Sequence, residues 1–219
     1  LKKLDSSFSK IELFITDKLI IKALKNLIFE DLKSEELLTK IREKLCHKIS
    51  KNKERIKNSE LEFIFALGEQ CFLNEYIYSF TEQENKSVFR IINRCKDGEV
   101  NETNISILSC YFPLYKLITK LPSLKSFSSS NQRFKELIKL QISEPLKEIE
   151  LSKRIKKLGA INDNISQRVK SQYEENPYPR WRYANHSESK KISLLQGINS
   201  EIKPNYISQT LGNNKLKVL

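Results

Sequence analysis

Through the first 150 positions, apolar residues recur at helical spacing, and polar start and stop signals divide the runs. Leu19, Ala23 and Leu27 repeat every four residues with Ile20 and Leu24 beside them, which predicts a helix capped by Asp17 and running through Phe29. Ser34-Glu35-Glu36 opens a second helix whose last turns carry Lys44, Lys48 and Lys51, the charge order a helix dipole favours. Ser59 with Glu62, and Thr81 with Glu84, have the spacing of capping boxes. The helix after Thr81 is expected to reach Asp97 and stop at Gly98. Asn104–Thr119 reads as helix bent at Pro113, Asn131–Leu140 as another, and Ser143-Glu144-Pro145 as a restart with proline in the first turn. Asp163 caps a further short helix through Ile165, Val169 and Tyr173.

The stretch from Glu60 to Phe80 is the most apolar of these, interrupted by Gln70, Asn74 and Glu75. Gln70 and Asn74 lie four apart and share a face. They could line a pocket, but the favoured reading is that they tie a neighbouring loop's backbone to the helix, because buried polar groups need partners. Ser123 to Ser130 is a serine-rich connection, and no repeat of 20–50 residues is visible.

Composition narrows the class. With 5 Gly and 6 Pro in 219 residues, collagen-like and low-complexity chains are excluded and a many-turned β-sandwich is disfavoured. No apolar run reaches the ~18 residues a membrane helix needs. The start, Leu1-Lys2-Lys3-Leu4-Asp5, reads as an internal cut of a longer gene with no secretory leader. The four cysteines fall on apolar helical faces without metal-ligand spacing, so buried, reduced thiols in a cytoplasmic protein are expected and no metal site is assigned. No HExxH, paired carboxylates or nucleophile elbow is present, and no catalytic residue is assigned. The net charge is +12, with 13 basic and 5 acidic residues in 151–219 against 26 and 22 before. Without a basic stripe interleaved with aromatics, this reads as lysine-solvated helix faces, and nucleic acid and membrane are disfavoured as partners.

One string carries more. Gln172-Tyr173-Glu174-Glu175-Asn176-Pro177-Tyr178-Pro179-Arg180-Trp181 places three aromatics and an arginine on a strip that two prolines keep extended. With Ile165–Ser171 before it, the string resembles the segment that precedes the catalytic domain in bacterial class I S-adenosylmethionine-dependent methyltransferases with N-terminal tetratricopeptide repeats. Gln70–Tyr76, Cys110–Leu114 and Glu144-Pro145 with Glu148 resemble landmarks of that family's middle helical region.

The resemblance implies an all-α, irregular multi-helix bundle over 1–160, a helix and Pro/aromatic strap over 161–182, and a linker over 183–219. That linker would end in the stub of a Rossmann-like first strand at Lys215–Leu219. The glycine-rich cofactor turn that would follow such a strand is not among the 219 residues. The chain is therefore expected to be a non-catalytic regulatory, substrate-presenting or lid portion of such a methyltransferase. S-adenosylmethionine would bind the parent protein and no cofactor this fragment. Its partners would be its own catalytic domain and a protein substrate. Tyr173, Asn176, Tyr178, Arg180 and Trp181 are the residues expected to fold over the cofactor as a lid, or to anchor the bundle to the sheet. The alternative is a non-enzymatic helical adaptor that binds protein or nucleic acid through the basic C-terminal third.

Overall fold

The computed structural model describes residues 11–29, 31–51, 55–156, 162–175 and 194–206. Among them the chain is all-α, with no strand. Residues 11–16 are helical. They are followed by α1 (Lys18–Asn26), α2 (Leu32–Lys51), α3 (Asn58–Leu73), α4 (Glu82–Lys96), α5 (Glu102–Ser109), α6 (Leu114–Leu117), α7 (Gln132–Ile138), α8 (Glu144–Ser152), α9 (Asn164–Glu175) and α10 (Leu194–Glu201). A 3-10 turn lies at Pro122–Lys125 and a π-turn at Lys139–Ser143. The chain divides into two units, Leu1–Arg182 and Tyr183–Leu219.

The centre of the first unit is α3. Phe63 to Leu73 are buried without interruption, as in a helix enclosed on every side. It packs against α1, α5 and α7, while α2 pairs with α4 and also reaches α5. α3 and α5 meet tightly at Gly68. A Cβ on Gly68 would stand 2.0 Å from Ser109 Oγ, so glycine makes room for the Ser109 side chain against α3.

Several predicted starts hold. Asp17 accepts from the amides of Leu19 and Ile20. Thr81 and Glu84 form a complete capping box, and α4 stops at Gly98, whose φ of 100° lies in glycine's left-handed region. Asp163 accepts from Ser166 N at 2.7 Å. Other signals were misassigned by a few residues. The second helix starts at Leu32, with Asp31 accepting from Ser34 N at 2.9 Å, so Asp31 does the work assigned to Ser34. At α3, Glu60 rather than Glu62 reaches back, accepting from Lys57 N at 2.8 Å.

Four differences have physical causes. In α1 the expected stripe is shifted: Leu24 is buried and Ile20 packs on the core as expected, but Ile21 is buried with them while Leu19 and Leu27 are 75% and 60% exposed. The four-residue spacing fits two adjacent faces, and the one carrying Ile21 meets α3. The helix from Asn58 ends at Leu73, well short of Phe80, because Glu75 and Tyr76 turn left-handed (φ 58° and 59°) and Tyr76 N bonds back to Cys71 O at 2.8 Å. Pro113 separates α5 from α6 completely instead of bending one helix. Pro145 stands in the first turn of α8, as expected, but Ser143 makes no cap, because α7 runs into α8 through the π-turn. The wider turn accommodates a residue with no amide proton inside the run. The stretch 183–214, expected to be an aperiodic linker, contains α10.

Candidate functional site

The polar landmarks of the sequence converge beneath the corner after α3. Gln70, with its amide nitrogen turned toward them, donates to Leu24 O and Leu27 O, both at 2.6 Å, and accepts from Phe29 N at 3.3 Å. It therefore closes the C-terminal end of α1, satisfying carbonyls that the helix leaves open. Gln70 is thus the backbone tie expected of it. Asn74, four residues on, is buried, but neither its Oδ1 nor its Nδ2 has a hydrogen-bond partner.

Gln141, in the π-turn, is a second tie. Its Nε2 donates to Gly68 O at 2.7 Å and Ser109 O at 3.1 Å, and its Oε1 accepts from Leu114 N at 3.3 Å and the Tyr76 hydroxyl at 3.2 Å. One buried amide therefore joins the corner after α3, the end of α5 and the start of α6.

A third buried group holds the outer part of the corner. The Arg42 guanidinium, 1% exposed, donates to Tyr78 O at 3.3 Å and Ser79 O at 2.6 Å, and pairs with Glu84 Oε1 at 3.3 Å. Its carbon lies 4.5 Å from the centre of the Tyr111 ring, and the Tyr111 hydroxyl donates to the same Glu84 oxygen at 2.7 Å. The second Glu84 oxygen accepts from Thr81 N. A helix cap and a buried ion pair thus share one carboxylate. On the far side of α3, fully buried Glu69 pairs with Lys25 at 3.4 Å, and the same lysine meets Glu136 at 2.8 Å.

Sequence reasoning missed Arg42 and Gln141. The signal was available for Arg42, which interrupts the apolar face formed by Leu38, Ile41, Leu45 and Ile49. A lone charge in an apolar stripe implies a buried partner. Gln141 could not be found so directly, because a π-turn shifts the period that places it.

All four cysteines are free and buried. Burial pushes the Cys46 thiol up to about 12 and the Cys95 thiol up to about 11, against a neighbouring tyrosine hydroxyl for the first and Arg94 for the second. These are inert, protonated core groups. Among the described residues no cluster of His, Cys, Asp and Glu could hold a metal ion, and no helix is long and apolar enough to cross a membrane.

Of the lid residues, Tyr173 alone is described. It lies on α9, where Ile165, Val169 and Tyr173 are 73%, 46% and 69% exposed. At about 100° per residue these three form one apolar stripe, with Arg168 and Lys170 on its two borders. Asn176, Tyr178, Arg180 and Trp181, together with the expected strand at Lys215–Leu219, lie outside the described residues. Comparison with protein-family models, with curated proteins and with solved structures gives no match.

Proposed function

We propose that the chain is the non-catalytic helical portion of an S-adenosylmethionine-dependent methyltransferase, serving to present a protein substrate or to cover the active site of a catalytic domain elsewhere in the parent protein. The ten-residue string from Gln172 to Trp181, with its upstream landmarks, carries this reading. It is supported by the way those landmarks are used. The stretches 70–76 and 110–114 meet at Gln141, three residues before Glu144-Pro145, so positions far apart in sequence build one framework. That framework consists of ties between helices and backbone, as suits a supporting domain.

In this reading α9 is the docking element. Its apolar stripe offers burial to a folded partner, and Arg168 and Lys170 offer pairing to carboxylates on the partner's rim. Tyr173 stands at the strap end of that stripe. Tyr178 and Arg180 then act over the cofactor, and Trp181 anchors the strap.

The test is twofold. Isothermal titration of S-adenosylmethionine should show no binding to the 219-residue chain and binding to the parent protein. Tyr178→Ala in the parent should weaken cofactor binding if the strap is a lid, and lower stability alone if it is an anchor. A parent protein that binds no S-adenosylmethionine and encodes no glycine-rich turn after a strand would overturn the proposal. The adaptor reading would then stand, and its nucleic-acid form requires affinity that falls steeply between ~50 and ~200 mM salt.

A further inference from the structure

Helix α1 carries more apolar surface than its own unit covers. At about 100° per residue, Leu19, Ala23, Leu27, Ile20, Leu24 and Ile21 follow one another around about 200° of its circumference. A helix laid on one neighbour needs a stripe of about half that width. α3 and the core take the half with Ile20, Leu24 and Ile21, while the half with Leu19 and Leu27 stays in solvent. This opening is not slack packing, because the rotation of α1 about its axis is fastened at several places. Gln70 holds the carbonyls of Leu24 and Leu27, Lys25 reaches Glu69 at 3.4 Å and Glu136 at 2.8 Å, and Ile21 and Leu24 are enclosed. Turning the two leucines inward breaks these ties. The chain therefore presents them in fixed positions, the preorganised condition that lowers the cost of binding. On the side away from the core the stripe is bordered by Lys18 and Lys22, both exposed.

We propose that the Leu19–Ala23–Leu27 face of α1 is a docking site for an amphipathic helix of a partner protein, one whose apolar stripe is bordered by carboxylates. A second apolar half-face on a rigid helix is completed by another helix, and small Ala23 between two leucines leaves room for a side chain from it. The Lys18–Lys22 edge selects a partner with an acidic border. A second copy of the chain fits less well. Antiparallel packing of α1 on α1 brings Lys22 of both copies together, and the stripe on α9 is itself bordered by Arg168 and Lys170. A membrane surface also fits less well, since the exposed strip is little more than two turns long and holds two leucines with no aromatic anchor. This docking site is defined by α1 and its ties alone, independently of the methyltransferase reading.

The experiment titrates two designed helical peptides into the isotopically labelled 219-residue chain. Both carry the same leucine stripe, bordered by glutamates in one and by lysines in the other. The expected result is saturable binding of the glutamate peptide, with amide shifts centred on residues 18–27, and no binding of the lysine peptide. Leu19→Ser and Leu27→Ser should each weaken that binding about tenfold or more. Each should leave Tm within about 2 °C, because both side chains are already in water. Lys18→Glu combined with Lys22→Glu should reverse the preference between the peptides. Equal binding of both peptides, no saturable binding of the glutamate peptide, or shifts centred away from α1 would overturn the proposal. So would a Leu19-dependent dimer in sedimentation, or Leu19-dependent binding to phosphatidylglycerol vesicles, each of which gives the face a different occupant. The wild-type comparison of the two peptides decides the matter even if a serine variant does not fold.

Discussion

Helices α3 and α9 are opposite uses of the same local code. Both have clear N-terminal signals and apolar residues at helical spacing, yet α3 is buried from Phe63 to Leu73 while α9 leaves Ile165, Val169 and Tyr173 exposed. What separates them is the treatment of polar groups. Around α3 several neighbouring elements are tied through buried side chains: Gln70 and Glu69 to α1, Gln141 to α5 and α6. Around α9, Lys170 pairs with Glu174, exposed and within the helix itself. The helical body is specified by its internal ties, whereas α9 carries a face on which its own unit makes no comparable demand.

Substitutions can sharpen that contrast. The largest effect is expected at Arg42→Met, which leaves Glu84 buried and two backbone carbonyls unpaired. A loss of about 3–5 kcal/mol in chemical denaturation is expected, with part of it recovered when Glu84→Leu is added. Gly68→Ala should cost about 1–3 kcal/mol, because the new methyl group meets Ser109 Oγ, and Ser109→Gly in the same chain should restore part of it. An equal loss from Val169→Asp in α9 would erase the contrast; a change within about 0.5 kcal/mol is expected there, in both thermal and denaturant melts.

A further effect concerns alkaline pH. An unfolded thiol ionises near 9.0, whereas burial holds Cys46 protonated up to about 12 and Cys95 up to about 11. Above pH 9 the unfolded chain therefore releases protons that the folded chain keeps, and stability falls as pH rises, by about 1.4 kcal/mol per pH unit for each thiol. Below pH 9 this contribution is fully present. Cys46→Val should flatten the dependence of denaturation midpoint on pH between 9 and 11. The smallest effect is a gain. Glu75→Gly relieves a left-handed residue at the end of α3 and should stabilise by up to about 1 kcal/mol, visible as a higher denaturation midpoint with an unchanged slope.

The helical class and the order of the helices could be read from periodicity and caps, because those signals act within a few residues. The Thr81–Glu84 box and the Gly98 stop were legible in full. The Asp17 cap was legible, but the buried face of α1 was not, since Leu19 and Ile21 differ only in what α3 places beside them. Glu84 was visible as a cap and invisible as the partner of Arg42, which lies 42 residues away. Of the proposed lid, the sequence supplies an aromatic and basic strip, and the described structure reaches only its first residue, Tyr173.

The π-turn at Lys139–Ser143 makes chain length itself a constraint on this domain. Wound at ordinary helical pitch with the same number of residues, the run from Gln132 to Ser152 would swing everything beyond the turn by about 100°. Gln141 would leave its four partners, and Ile142 and Pro145 would turn out of the interior while the glutamates of α8 turned in. A one-residue deletion that converts the turn to ordinary pitch should therefore leave α8 on its present face, whereas a deletion in the middle of α3, which has no such turn, should not be tolerated.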